Sequence, residues 1–174
     1  MIKIDQPAMA LNSHDVPQPW YKMENTRIVT PDVGARDLLN NVASVLADFR
    51  SRFPGRRRTL VINCHGAMDQ PLLDIGKGIR KADAVHFGLI APYVDEILIA
   101  ACFAGSHLDF MGAIAKNAKA TVKAGVQKQY TNYSDSKDKP CLAYFPPGFI
   151  DDWDGPLMTF NGFGSLANIE NAGP

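Results

Sequence analysis

Two short apolar runs, separated by helical patterns, constrain the fold of this chain most strongly. Residues 59–64 read TLVINC and residues 96–101 read EILIAA, and both are nearly continuous in apolar side chains. Runs of this length and composition are typical of strands that are buried on both faces of a parallel sheet. In residues 121–126, apolar side chains alternate with polar residues or glycine, which indicates a third main strand with one wetter side.

Helical periodicity fills the intervals between these strands. Apolar side chains recur every three or four residues over residues 38–53, after a Thr30-Pro31-Asp32 sequence typical of a helix start. A second stripe, over residues 108–118, follows Ser106 and Asp109, which predict a capping box. A small hairpin is expected around residues 76–78, and a short helix from about residue 82. This alternation predicts an α/β fold with a mainly parallel sheet and helices on both faces.

The length of 174 residues favours one domain of ordinary size. Residues 1–24 contain Pro7, Pro17 and Pro19 among polar residues without sustained periodicity, so they are predicted to form an N-terminal arm. Residues 25–174 are expected to form a single α/β domain. No regular element is predicted for the last 25 residues of the chain.

The charge balance and cysteine content exclude several classes of protein. Lys plus Arg and Asp plus Glu both total 18, so no general attraction to nucleic acid or to an anionic membrane is expected. The basic run at residues 56–58 is interpreted as a solvated loop. No stretch approaches the roughly 18 apolar residues of a membrane span, and no signal peptide is recognisable, so a cytoplasmic location is expected. Three irregularly spaced cysteines argue against a disulfide framework and a structural zinc site. No metal or other cofactor is expected, and the oligomeric state is left open.

Two chemically capable residues end the predicted buried strands. His65 follows the first strand and Cys102 follows the second. In parallel sheets the working groups gather at the carboxyl ends of the strands, and adjacent strands lie about 5 Å apart. A thiol with an ordinary pKa of about 8.5 needs help to become a thiolate, and a nearby imidazole or helix N-terminus can supply it. The backbone N–H groups of Gly66 and Cys102 are natural donors to an oxyanion.

Each residue taken alone has a simpler interpretation. A cysteine at a buried strand is most often a small apolar side chain, and Cys64 and Cys141 are interpreted in that way. His107 is expected to face solvent, and a role near the site is left open as the alternative. Joint metal binding by Cys64, His65 and Cys102 is disfavoured, because adjacent strand residues point to opposite faces. An α/β-hydrolase is disfavoured too, because that family needs its histidine well downstream of the nucleophile and only His107 follows Cys102.

The two strand ends resemble the motifs of the caspase-like cysteine peptidases, which include the caspases, the metacaspases and the CHAT domains. In LVINCHG, His65 and Gly66 match the histidine motif of that group. In ILIAACFAGS, the cysteine motif is matched by Ala101, Cys102, Ala104 and Gly105. The resemblance covers roughly residues 27–145 and implies a three-layer caspase-like fold. It also implies a cysteine endopeptidase, in which Cys102 attacks a peptide carbonyl to form an acyl-enzyme and His65 protonates the departing amine.

The chain departs from this family around the specificity pocket. Metacaspases carry an aspartate before the cysteine, where this chain has Ala101, and the caspase arginines and glutamine have no match. A protein or peptide substrate is expected, with Ala101, Gly105 and Ser106 bordering its pocket. A catalytically inactive caspase-like domain that serves as a binding or scaffold module is the alternative.

Overall fold

The computed structural model describes residues 1–129 and 143–171. In chain order, the strands of these residues are β1 Ile2–Lys3, β2 Ala8–Ser13, β3 Asn25–Val29, β4 Thr59–Asn63, β5 His65–Gly66, β6 Leu72–Asp74, β7 Ile79–Arg80, β8 Glu96–Ala100, β9 Thr121–Gly125, β10 Phe149–Ile150, β11 Leu157–Phe160 and β12 Leu166–Glu170. The α-helices are α1 Ala35–Arg52 and α2 Leu108–Ala118, and the 3₁₀ helices are Lys81–Leu89 and Ala104–Ser106.

A seven-stranded sheet in the order β12-β11-β9-β8-β4-β2-β3 forms the centre of the molecule. The strands β3, β2, β4, β8 and β9 run parallel, and β11 and β12 add an antiparallel edge. The predicted α/β class and mainly parallel sheet are therefore confirmed. Residues at the carboxyl ends of β4 and β8 lie side by side, because Asn63 is in register with Ala100.

The two faces of the sheet are covered differently. Helices α1 and α2 and the 3₁₀ helix Lys81–Leu89 share one apolar core with strand residues such as Leu60 and Ile97. The opposite core contains Ala8 and Val61 of the sheet, which pack with non-helical residues including Tyr21 and Phe145. The described helices thus cover one face, whereas helices were expected on both. Small strand side chains on the second face leave room for short strands and loops, which form the third layer.

The prediction of an N-terminal arm is wrong for residues 8–13. Strand β2 is paired in parallel with both β3 and β4, and all six of its residues are buried. A short strand buried on both faces shows no alternation, and the sequence AMALNS lacks the β-branched residues that usually mark a strand. Strand β2 therefore belongs to the seven-stranded sheet, whereas β1 pairs with β10 in a separate two-stranded sheet. That the whole chain forms one domain stays a prediction.

The helix starts differ from those expected at residue level. Helix α1 begins at Ala35 after an N-cap at Gly34, three residues beyond the predicted Thr30-Pro31-Asp32 cap. The capping box of Ser106 and Asp109 does not form, because the Ser106 hydroxyl donates to the carbonyl of Val126 at 3.0 Å. The predicted hairpin around residues 76–78 is present, since β6 pairs with β7 and also with β5. Within the described ranges, no helix is long and apolar enough to cross a membrane.

Candidate active site

A cavity of about 170 Å³ lies at the carboxyl ends of β4 and β8. His65 and Cys102 both line it, together with Cys64 and the loop residues Tyr21 and Gln129. The two side chains singled out in the sequence therefore open onto one cavity. This placement follows directly from the parallel register of the two strands, which brings residues 37 positions apart to the same edge of the sheet.

The imidazole of His65 is exposed and is held from one side by a backbone carbonyl. His65 belongs to the short strand β5, which leaves the main sheet just beyond β4 and pairs with β6. Its Nε2 lies 3.2 Å from the carbonyl oxygen of Asp15. Since a carbonyl can only accept, this contact places the proton of a neutral ring on Nε2 and leaves Nδ1 as an acceptor.

The thiol of Cys102 sits at the start of a tight turn. Cys102 is half-buried, and its Sγ donates a weak hydrogen bond to the carbonyl oxygen of Gln129 at 3.7 Å. The next residue, Phe103, has a φ of 59°, in the left-handed region that non-glycine residues seldom adopt. The chain then enters the 3₁₀ helix Ala104–Ser106. Strand β8 ends at Ala100, and this sharp reversal directly follows the thiol, so the sulfur stays at the cavity.

The backbones that carry the two groups touch each other directly. A Cβ atom at Gly66 would overlap the carbonyl oxygen of Cys102, so position 66 requires glycine. Gly105 is equally confined, because its Cβ would overlap the carbonyl oxygen of Ala124. Among residues 1–129 and 143–171, no backbone carbonyl accepts a hydrogen bond from the N–H of Cys102. This N–H is thus free of a backbone partner within those ranges.

Cys64 and Cys102 differ in burial although they line the same cavity. Burial, followed by the charges of Asp74 and Cys102, raises the pKa of the Cys64 thiol far above its ordinary value. Cys64 also belongs to the helix-side core. It is therefore a neutral, packed side chain, as its sequence context predicts, whereas Cys102 is half-exposed. Cys141 lies outside the described residues.

The residues predicted to border the substrate pocket lie elsewhere. The side chain of Ala101 is buried in the helix-side core, Gly105 is buried against β9, and the hydroxyl of Ser106 is held by Val126. None of these three residues lines the cavity that contains His65 and Cys102. Ala101 precedes the turn at Phe103 and packs into the core, whereas residues 105 and 106 follow that turn and contact β9 and Val126.

The cavity walls come instead from loops without a sequence pattern. One wall is the loop after β2, which contains Val16, Pro17 and Tyr21. The amide of Asn12, which is fully buried, accepts from the Tyr21 N–H at 2.9 Å and donates to the Tyr21 carbonyl at 3.0 Å. The side chain of Asn63 donates to the same Asn12 oxygen at 2.9 Å. The buried network therefore fixes this loop to the ends of β2 and β4.

The opposite wall is formed by residues 128–129 and 150–153. The Gln129 side chain donates to the Asp154 carbonyl at 3.0 Å and accepts from the Asp154 N–H at 3.1 Å, which joins the two segments. Burial, and then the charges of Asp151 and Asp154, raise the pKa of Tyr21 well above its ordinary value, so its phenol stays neutral. Neither segment has the periodicity by which the sequence could have revealed it.

His107 is only half-buried, but it does not simply face solvent as expected. Its Nε2 lies 2.7 Å from the carbonyl oxygen of Ala67, the residue after Gly66. His86 is also half-buried and lies on the 3₁₀ helix Lys81–Leu89, away from the cavity. Among the residues that the structure describes, no three His, Cys, Asp or Glu side chains gather as they would around a metal ion.

No family model and no curated protein matches this chain. Among solved structures, the chain is similar to the X-ray structure of a secreted C11 cysteine protease from Bacteroides thetaiotaomicron in complex with an irreversible peptide inhibitor. The two chains are 15% identical, with a TM-score of 0.43. The match covers 74% of this chain and 45% of that chain, so this chain spans less than half the length of the protease that it matches.

Proposed function

We propose that this protein is a cysteine-type endopeptidase with Cys102 as nucleophile and His65 as general acid and base. The observation that carries the proposal is the placement of both side chains on one cavity, at the ends of adjacent parallel strands. A thiol and an imidazole that share a cavity can act on the two sides of one amide bond. In the proposed reaction, no cofactor takes part.

The proposed reaction has two steps. The Cys102 thiol passes its proton to the unprotonated Nδ1 of His65, and the sulfur forms a bond to the carbonyl carbon of the peptide. The resulting oxyanion accepts hydrogen bonds from the backbone N–H groups of Gly66 and Cys102. His65 then gives its proton to the departing amine as the C–N bond breaks. Water attacks the thioester in the second step, and this releases the acid and restores the thiol.

The size of the cavity favours a peptide chain over a bound cofactor or small-molecule substrate. Small-molecule pockets usually enclose about 300–1,000 Å³, whereas this one encloses about 170 Å³. A cavity of that size accommodates a single side chain. The rest of a peptide would then extend along the surface between the loop after β2 and residues 150–153. The substrate is therefore proposed to be a protein or peptide, with one side chain bound beside Cys102.

Selective labelling of the thiols tests the proposal. Iodoacetamide, or a peptide with an electrophilic warhead, is expected to alkylate Cys102 much faster than Cys64, because the pKa of Cys64 is raised by burial. Peptide mapping by mass spectrometry measures the two rates. Cleavage of a casein or peptide-library substrate should be lost in Cys102→Ala and in His65→Ala, and retained in the control His86→Ala, whose side chain is not one of those that line the cavity. Equal labelling of the two thiols, or cleavage by Cys102→Ala, would contradict the assignment.

The alternative function is an inactive binding or scaffold domain, and one observation favours it. The thiol and the imidazole are each held by a different loop carbonyl, that of Gln129 and that of Asp15. If these contacts persist in solution, Cys102 reacts no faster than an ordinary thiol. A double variant Cys102→Ala, His65→Ala that behaves as wild type in the organism would support the scaffold and exclude the peptidase.

A further inference from the structure

We propose that His107 is a positioning residue, which holds the segment after His65 against the turn that carries Cys102. This inference rests on the proposed peptidase function for its catalytic consequence. Its structural basis is the contact of 2.7 Å between Nε2 of His107 and the carbonyl oxygen of Ala67. The contact links two parts of the chain that are 40 residues apart. One part follows His65 and the other follows Cys102.

The backbone of His107 is fixed firmly on the Cys102 side of this link. The His107 N–H donates to the Ala104 carbonyl at 3.2 Å, within the turn that follows Cys102. Its carbonyl accepts from the N–H groups of Phe110 and Met111 at 2.9 and 3.0 Å, in the first turn of α2. His107 is also the N-cap residue of α2. The imidazole therefore projects from a rigid base toward the segment that contains His65.

The link to Ala67 acts together with the backbone contact one residue earlier. Gly66 lies against the carbonyl of Cys102, at a distance that admits no Cβ atom. Strand β5 is paired with β6 on its other side. The second contact, from His107 to the Ala67 carbonyl, fixes the peptide plane between residues 67 and 68, directly after Gly66. The two contacts together hold the segment that follows His65 against the turn that carries the sulfur.

The chemistry of the link predicts which substitutions can replace it. The Ala67 carbonyl can only accept, so Nε2 of His107 must carry a proton. A glutamine side chain ends in an amide N–H₂ group at a similar reach from the backbone, and it can donate to the same oxygen. Alanine has no donor. His107→Gln should therefore keep the link and His107→Ala should remove it.

Peptidase kinetics on a fluorogenic peptide cleaved by the wild type test the positioning role. His107→Ala is expected to lower kcat by about 10- to 100-fold, as is usual when a supporting contact of a reactive group is lost, while KM changes by less than about twofold. His107→Gln should recover most of kcat. His86→Ala, which removes a half-buried histidine far from the cavity, serves as the matched control and should keep wild-type kinetics.

Amide hydrogen exchange gives a readout that needs no activity. Exchange in the peptide that contains residues 65–67 should be faster in His107→Ala than in wild type, and should return to the wild-type rate in His107→Gln. Wild-type exchange and wild-type kcat in His107→Ala would overturn the inference, as would a loss of kcat that His107→Gln does not restore. If the wild-type protein cleaves no peptide, the proposed function fails, and the exchange data alone decide whether His107 positions residues 65–67.

Discussion

The amino and carboxyl ends of strands β4 and β8 differ in how their polar groups are paired. At the amino ends of β4 and β8, charged groups neutralise one another: Arg58 binds both carboxylate oxygens of Asp95, at 2.9 and 3.1 Å, and its N–H binds one of them at 2.8 Å. At the carboxyl ends, the half-buried thiol has one weak hydrogen bond and the imidazole is exposed. The same two strands are thus fastened by ion pairs at one end and present reactive groups at the other.

The ion-paired groups that stabilise the fold thus lie at the opposite ends of the strands from the thiol and the imidazole. Glu96, at the start of β8, lies 3.1 Å from Arg57 and 3.5 Å from Lys123, so charge compensation continues across neighbouring strands. At the carboxyl ends, Phe103 has a left-handed φ, and the backbones of Gly66 and Cys102 approach closely. Substitutions at the amino end should therefore lower the free energy of unfolding alone, whereas substitutions at the carboxyl end should also change catalysis.

The largest expected effect is that of Gly66→Ala. The added Cβ overlaps the Cys102 carbonyl, so the strand end that carries His65 must shift away from the thiol. We expect cleavage to fall by about 100-fold or more, since small displacements of reacting groups are costly. Gly88→Ala is the matched control, because its Cβ would lie 3.9 Å from the nearest atom. Steady-state kinetics of both variants measure the effect, and near-wild-type activity of Gly66→Ala would break the comparison.

Asn12→Ala should give the largest loss of stability at the carboxyl end. It leaves the buried N–H and carbonyl of Tyr21 without their partner, and Asn63 loses its acceptor. We expect the free energy of unfolding to fall by about 2–4 kcal/mol. Because the loop after β2 forms one cavity wall, KM should rise as well. Urea unfolding and peptidase kinetics test the two parts separately, and an unchanged KM would show that the loop keeps its place without Asn12.

Asp95→Asn should lower the free energy of unfolding and leave the kinetics of cleavage unchanged. Burial acts to raise the pKa of Asp95, but hydrogen bonds from Arg58 and the charges of Arg58 and Arg57 outweigh it and hold the pKa below its ordinary value. The stabilisation is therefore complete above the unfolded pKa of about 3.9 and is lost as the pH falls through the lower folded pKa. Because the carboxylate is 38% exposed, solvent screening limits the expected loss to about 1 kcal/mol.

Urea unfolding of wild type and Asp95→Asn at several pH values checks this sign. The difference between the two proteins should be full at pH 7 and should shrink below about pH 4. The kcat and KM of Asp95→Asn at pH 7 should equal those of the wild type. A difference that grows toward acid pH would contradict the role given to Arg58.

The smallest expected effect is that of Arg56→Ala. The Arg56 guanidinium is exposed and donates to the carbonyl of Gln6 at 3.2 Å. We expect a change in the free energy of unfolding of less than about 0.5 kcal/mol, as for most surface positions, and unchanged kinetics. Thermal unfolding and the peptidase assay measure both. A loss of cleavage in this variant would mean that the amino end takes part in function.

The parts of the fold that could be predicted from the sequence are those with a regular period. The strands at residues 59–63, 96–100 and 121–125 and both α-helices are marked by apolar patterns, and the alternation of these elements dictates a parallel sheet. It follows that the positions of His65 and Cys102 at one edge could be predicted too. Strand β2 escapes sequence-based prediction because six residues buried on both faces have no period, and the β11–β12 hairpin because all five residues of β12 are exposed.

The surroundings of the proposed dyad could not be predicted, for a related physical reason. The walls of the cavity are loops, held by contacts such as those of Asn12 with Tyr21 and of Gln129 with Asp154. Such contacts join residues that are distant in the chain and leave no local pattern. The predicted pocket residues 101, 105 and 106 do not line the cavity, because Ala101 packs into the helix-side core and residues 105 and 106 follow the turn at Phe103.

The backbone contact between Gly66 and Cys102 has a consequence for how such a protein can diversify. The approach of the two segments that carry the proposed dyad is limited by main-chain atoms of Gly66 and Cys102, which admit no side chain at position 66. The cavity walls, by contrast, are surface loops joined to the sheet by a few polar contacts. New substrate preferences can therefore be engineered by exchanging those loops, while the reaction centre is inherited intact.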